Sequence, residues 1–205
     1  GGGTNLLIHD KGFQGLVIKP EIKVLERNGN IVRVGAGVSV ADLLNFVIKE
    51  GLSGLEWAGG LPGAVGGAIR GNAGAFGGEI KDTVREVVSL DISGEAPKVV
   101  HRSHKDSKFG YRNSIFKEKN GAEIILEATL ELREGDKEAI RKGIQEKIDY
   151  RNERHPMDLP SLGSTFKNVD VKDLPKAVAE RFADKIKQDP FPVLPTAVLL
   201  SEAGL

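Results

Sequence analysis

The chain has 205 residues with 29 basic and 29 acidic side chains, so it carries no net charge, and a polyanion such as nucleic acid is not an expected partner. It contains no cysteine, which excludes disulfides, thiolate nucleophiles and cysteine metal sites. No apolar run approaches the roughly 20 residues of a membrane span and no secretory signal stands before the first motif, so a soluble cytoplasmic protein of one large or two small domains is expected. Neither Gly1-Gly2-Gly3 nor Glu202-Ala203-Gly204-Leu205 reads as a natural terminus, and a fragment is the expectation.

In chain order, Gly1, Gly2, Gly3, Thr4 and Asn5 precede a short apolar run at 6–8 that reads as a strand. Such a loop can offer successive backbone N–H groups to a phosphate, with Thr4 and Asn5 adding side-chain bonds; a flexible lead-in is the plain alternative. A second short strand is expected at 15–18. Strands at 22–25 and 31–34 flank Asn28-Gly29, a hairpin signal. Ser39-Val40-Ala41-Asp42 is a capping pattern, and Leu43, Leu44, Phe46, Val47 and Ile48 give the following helix an apolar side that Gly51 ends. Neither Gly-x-Gly pair continues into the dinucleotide fingerprint, and no GxxxxGK[ST] loop is present, so Rossmann and P-loop sites are unsupported.

Residues 59–78, GGLPGAVGGAIRGNAGAFGG, are the most unusual stretch: nine of twenty are glycine, and Arg70 is the only charge. A solvated linker this rich in glycine would carry Ser, Gln or Lys, whereas the partners here are Leu, Pro, Ala, Val, Ile and Phe. Glycine permits positive φ and close approach to the backbone, and buried N–H groups need acceptors. The segment therefore reads either as the wall of a cofactor pocket, its N–H groups meeting a phosphate or a flavin edge, or as a tightly packed structural turn.

Strands are expected at 84–92 and 98–101 around Ser93-Gly94, and at 123–132. His101 and His104 are three apart, but with only Asp106 near them they read as exposed polar residues, and no metal is expected. Asp136 caps a predicted helix to about 152 with Ile140, Ile144 and Ile148 on one face and the Lys and Arg of its other face solvated. His155-Pro156 opens a proline-bounded connector. A polar loop at 161–168, a helix over 174–187 and another helix opening at 196–203 follow. Strands and helices without regular βαβ alternation indicate an α+β fold rather than a doubly wound sheet.

Four elements in order, GGGTNLLI, GLEWAGGLPGAVGGAIRGNAGAFGGEI, YRNSIF and PSLGSTFKN, closely resemble the UDP-N-acetylenolpyruvylglucosamine reductases of bacterial cell-wall synthesis. The resemblance implies two FAD-binding lobes (1–21 as a remnant of the first, 22–155 as the second) and a substrate-binding domain, incomplete, at 156–205. It implies non-covalent FAD, NADPH as co-substrate, a UDP-sugar substrate, a monomer, and reduction of an enolpyruvyl double bond to give UDP-N-acetylmuramate. Gly1, Gly2, Gly3, Thr4 and Asn5, with Gly60, Pro62, Gly63, Val65, Gly66, Gly67, Asn72, Ala73 and Gly74, are then expected to hold the flavin cofactor.

By the same resemblance Arg112 stabilises enolate-like charge on the substrate carboxylate, and Ser164 donates the proton. Tyr111 lines the site, while Lys167, Asn168 and Arg154 bind the substrate's diphosphate, Arg154 standing where the family pattern has lysine. The family's third catalytic residue, a glutamate, would lie beyond Leu205, so weak or no activity is expected of this chain. Residues 169–200 are longer and more charged than the pattern. Another flavin oxidase or dehydrogenase of the same fold, or a non-catalytic flavin-binding fragment, is the alternative.

Overall fold

The computed structural model describes residues 3–155, 158–159, 161–188 and 191–205. They form two compact units, Gly1–Ser161 and Leu162–Leu205. Among the described residues no helix is long and apolar enough to cross a membrane.

In the first unit the strands expected at 6–8 and 15–18 are absent: these residues carry no ladder, and Leu7 and Leu16 are 89% and 83% exposed. A strand is stable only where a neighbour takes its N–H and C=O groups, and an apolar run alone does not supply one. Residues 22–24 are extended, with the Ile22 and Val24 carbonyls accepting from Gly37 and Gly35. The hairpin forms from β1 (Leu25–Asn28) and β2 (Ile31–Gly35). Its turn is Gly29-Asn30, one residue later than Asn28-Gly29, and Gly29 takes the left-handed φ of 62°.

Helix α1 (Val40–Glu50) starts where Ser39 Oγ accepts from the Asp42 N–H at 2.9 Å, and Gly51 ends it at φ 67°. It buries Val40, Leu43, Leu44 and Val47, each worth about 1.5–3 kcal/mol relative to exposure. After β3 (Leu52–Ser53) and a 3-10 turn at Glu56–Ala58 comes α2 (Val65–Arg70), a short helix inside the glycine-rich stretch that the sequence did not announce. The ribbon β4 (Gly74–Ala75) and β5 (Gly78–Glu79) turns at Phe76-Gly77, both at positive φ (52° and 80°), the geometry of a type I′ turn.

Next come β6 (Val84–Asp91), β7 (Lys98–Ser103), α3 (Ile115–Glu118), β8 (Glu123–Glu131) and β9 (Arg133–Glu134), which pairs with β3. Helix α4 (Lys137–Arg154) is capped by Asp136, whose carboxylate accepts from the Ala139 N–H at 2.8 Å. Five strands make one antiparallel sheet in the order β1-β2-β8-β6-β7. Val32, Val34, Val87, Ala128 and Leu130 share a core with α1, α2 and the Ile140 and Ile144 of α4. The arrangement is α+β: an antiparallel sheet with separate helices.

In the second unit β10 (Val169–Asp170) pairs with β11 (Val193–Leu194), and Val193 and Leu194 are fully buried. The helix expected over 174–187 is only α5 (Lys176–Arg181); Phe182 turns inward, 8% exposed, and a 3-10 turn at Ala183–Lys185 follows. Burial of that ring sets the break. Helix α6 (Thr196–Glu202) follows Pro195.

Candidate active site

The glycine-rich segment has a packed side and an open side. On the packed side the backbone runs against residues 36–40: Val65 N–H donates to Val38 O (2.9 Å), Gly66 N–H to Ala36 O (3.0 Å) and Val40 N–H to Gly63 O (3.0 Å). A Cβ on Gly66 would lie 2.8 Å from that of Ala36, so only hydrogen fits. On the open side a Cβ on Gly3 or Gly67 would meet nothing within 4 Å, and one on Gly63 would meet only Thr4 Oγ1, at 4.0 Å. The first loop and the glycine wall thus face each other at Thr4 and Gly63, with bare backbone around them.

Of the residues expected to hold cofactor, Gly1 and Gly2 lie outside the described residues. Gly3, Asn5, Gly60, Pro62 and Gly67 are exposed, and Thr4 and Gly63 half-buried. Val65 is buried in the core, while Asn72 and Ala73 donate their N–H groups to Ile69 and Ala68 carbonyls. Val65, Gly66, Asn72 and Ala73 therefore use their backbone donors inside the fold and give the wall its shape.

Arg112 sits in a two-residue turn, Tyr111-Arg112, closed by reciprocal bonds of 3.0 Å between Gly110 and Asn113. Its own φ is 54°, a left-handed value that costs a non-glycine residue energy and must be held by its surroundings. Three bonds hold it: Asn72 Nδ2 to Gly110 O (2.9 Å), Lys117 Nζ to Arg112 O (2.9 Å) and Ser114 Oγ to Arg70 O (2.6 Å). The guanidinium lies 5.5 Å from the Tyr111 ring centroid and donates through Nη2 to Gly74 O at 2.6 Å. The structure therefore brings Tyr111, Arg112, Asn72 and Gly74 together at one edge of the wall.

At the ribbon tip, Phe76 meets the Tyr150 ring edge-on (5.2 Å) with the Lys147 and Arg151 cations over its face. Arg151 Nε donates to Gly59 O at 2.8 Å, and burial lowers its pKa from the ordinary guanidinium value. Arg154 stacks on Tyr150 at 4.7 Å.

Farther along the chain, the Glu123 side chain of β8 is fully buried and gripped by Arg102 of β7 (2.6 and 2.8 Å), Lys119 (2.8 Å) and Ser89 (2.5 Å). Burial raises its pKa, but hydrogen bonds from Arg102, Lys119 and Ser89 outweigh that and bring it to about 2. Lys119 also pairs with Asp91 at 2.6 Å, fastening the end of α3 to the sheet. Sequence reasoning passed over Ser114, Arg151 and Glu123; Glu123 opens a strand that also carries Glu127, Thr129 and Glu131, so no local pattern singled it out.

In the second unit Ser164 and Lys167 are exposed and Asn168 is half-buried. The Lys167 carbonyl accepts from Thr196 Oγ1, which ties the loop to the start of α6. His101 meets Glu86 at 3.1 Å and His104 meets Val84 O at 3.1 Å; among the described residues no three potential ligands gather as a metal site.

Residues 1–99 match the family model described as an FAD binding domain. The chain is 41% identical over 168 residues to the UDP-N-acetylenolpyruvoylglucosamine reductase of Caldanaerobacter subterraneus subsp. tengcongensis, covering 82% of this chain and 54% of that one. It is 39% identical over 179 residues to the enzyme of that name from Solibacter usitatus, covering 87% and 56%. The chain thus spans about half the length of the curated relatives it matches. The crystal structure of UDP-N-acetylenolpyruvylglucosamine reductase from Thermus caldophilus superposes with a TM-score of 0.68 at 28% identity, covering 94% of this chain and 72% of that one. By sequence and by fold, the chain is a relative of the UDP-N-acetylenolpyruvoylglucosamine reductases.

Proposed function

We propose that the chain is the flavin-binding part, with a portion of the substrate-binding part, of an NADPH-dependent enzyme that reduces enolpyruvyl-UDP-N-acetylglucosamine to UDP-N-acetylmuramate in the cytoplasm. The observation that carries this reading is the fixing of the Tyr111-Arg112 turn against the glycine wall, which holds a guanidinium at the edge of exposed backbone.

The residues fit a flavin: Gly3, Thr4, Gly63 and Gly67 offer open backbone and a hydroxyl, while Gly66 and Asn72 keep the wall in shape. FAD held there would supply hydride transfer between NADPH and the enolpyruvyl double bond. Arg112 binds the substrate carboxylate through a planar fork and stabilises the charge that gathers there in the transition state. Ser164 Oγ–H delivers a proton to the adjacent carbon, and its exposed hydroxyl needs a hydrogen-bonded proton source to do so. Tyr111 lines the substrate, and Lys167, Asn168 and Arg154 take its diphosphate, Arg154 as a fork held on Tyr150.

The test is a visible spectrum of the purified chain after incubation with FAD and desalting, followed by titration with the enolpyruvyl UDP-sugar. A retained flavin band that shifts on titration is expected. A colourless protein, both for this chain and for one extended to the full length of its relatives, overturns the reading.

A further inference from the structure

Asn72 has the most constrained polar side chain beside the Arg112 turn. It is fully buried and left-handed at φ 43°. Its Nδ2 donates to Gly110 O at 2.9 Å, and its Oδ1 accepts from the Lys81 N–H at 3.2 Å. Its backbone N–H bonds Ile69 O. Each end of the amide is bonded to protein backbone, and with no exposed surface the side chain faces the interior of the fold rather than the open side of the wall.

What it does offer is a bracket. Gly110 opens the two-residue turn that carries Arg112, and the Gly110 carbonyl is where Asn72 takes hold. Lys117 and Ser114 hold the same turn from its other side. We propose that Asn72 is a positioning residue for Arg112: by fixing the Gly110 carbonyl from inside the glycine wall, it sets the direction in which the guanidinium projects. The inference rests on the reading of Arg112 as the group that binds the substrate carboxylate.

Residue type supports the assignment. Asn is among the few non-glycine residues that take left-handed φ readily, and its amide is a donor and an acceptor in one plane. Lys81 belongs to the 3-10 turn at Ile80–Asp82 that follows the ribbon, so one amide ties wall, ribbon and Arg112 turn together. Carboxylate stabilisation grows as charge develops, so losing the aim of Arg112 should lower kcat more than it raises KM.

Two variants separate the side chain from the backbone. Asn72→Gly keeps the left-handed φ and removes the amide; Asn72→Asp keeps an acceptor for Lys81 N–H and removes the donor to Gly110 O. In the 205-residue chain, amide exchange at Gly110 and Asn113 should quicken by about tenfold or more in both variants, while Val88 in the sheet is unchanged. The Arg112 Nε–H resonance should move to the position of a free arginine. An unmoved Arg112 resonance with unchanged exchange in Asn72→Gly overturns the inference, whatever the turnover of the chain; should Asn72→Gly unfold, Asn72→Asp decides in the same way.

With FAD loaded, flavin reduction by NADPH should stay within about twofold, and reoxidation by the enolpyruvyl UDP-sugar should slow by about tenfold with KM little changed. Normal reoxidation in Asn72→Gly beside a dead Arg112→Ala sinks the inference alone. Normal reoxidation in Arg112→Ala sinks the reading of Arg112 instead.

Discussion

The Arg102 guanidinium on β7 reaches past β6 to grip both carboxylate oxygens of Glu123 on β8, Nε at 2.6 Å and Nη2 at 2.8 Å, and the Glu123 side chain is fully buried. The Glu123 pKa lies at about 2, below the ordinary 4.5. A carboxyl whose pKa is depressed by folding stabilises the fold fully above its unfolded value and loses that contribution as pH falls through its folded value. Urea midpoints should therefore be level above about pH 5 in this respect and fall between about 4.5 and 2. Glu123→Gln should cost about 3 kcal/mol at pH 7, because Arg102 loses its counter-charge and Lys119 keeps only Asp91, and should flatten that acid slope. A Gln variant with the parent midpoint at pH 7 contradicts this.

Gly66 and Gly67 are neighbours with opposite demands. Gly66→Ala drives a methyl to 2.8 Å from the Ala36 Cβ and should cost about 1–3 kcal/mol. Gly67→Ala enters open space within α2 and should leave stability equal or raise it by up to about 1 kcal/mol. The same methyl should weaken FAD retention if this side faces the cofactor. Thermal melts and flavin content after desalting check both, and a flavin-retaining Gly67→Ala protein argues that the cofactor lies elsewhere.

Arg112→Ala and Ser164→Ala should separate the two halves of the reaction in a version of the protein with relatives' full length. Both should keep FAD and accept hydride from NADPH. Both should lose about 100-fold or more in the step that reoxidises flavin with the enolpyruvyl substrate. If Ser164→Ala instead fails at flavin reduction, Ser164 is part of the cofactor site.

Ser114 is fully buried and donates to Arg70 O at 2.6 Å, so Ser114→Ala leaves the Arg70 carbonyl at the end of α2 without that donor. The expected cost is about 1–2 kcal/mol in chemical denaturation. A variant as stable as the parent shows that the Arg70 carbonyl finds another donor.

The elements that could be read from sequence are those whose signals are local. Ser39 and Asp136 cap α1 and α4 because a short acceptor before an apolar period is sufficient in itself. Residues 6–8 and 15–18 carry a strand's composition without its ladder, since pairing is a long-range property that composition does not encode. The glycine stretch was legible as a wall, but α2 inside it was not: glycine is a poor helix former, and packing of Val65, Ala68 and Ile69 into the core overrides that. Arg112 could be singled out by its motif, but no local pattern reveals that Asn72, Ser114 and Lys117 hold its turn. Arg151 follows Ile148 on the apolar face of α4, and no local pattern reveals that it bonds the Gly59 carbonyl 92 residues away.

The bonds from Asn72 to Gly110, from Arg112 to Gly74 and from Ser114 to Arg70 span 38, 38 and 44 residues, and the whole β6–β7 hairpin lies inside the loop they close. Contacts of such separation form only after the enclosed chain has ordered, because loop-closure entropy must be met first. We expect the Arg112 edge of the wall to order after that hairpin and to contribute little to the folding transition state. Substitutions there should quicken unfolding and leave the folding rate nearly unchanged, so lesions at this edge would shorten the lifetime of the native protein without reducing how readily it is made.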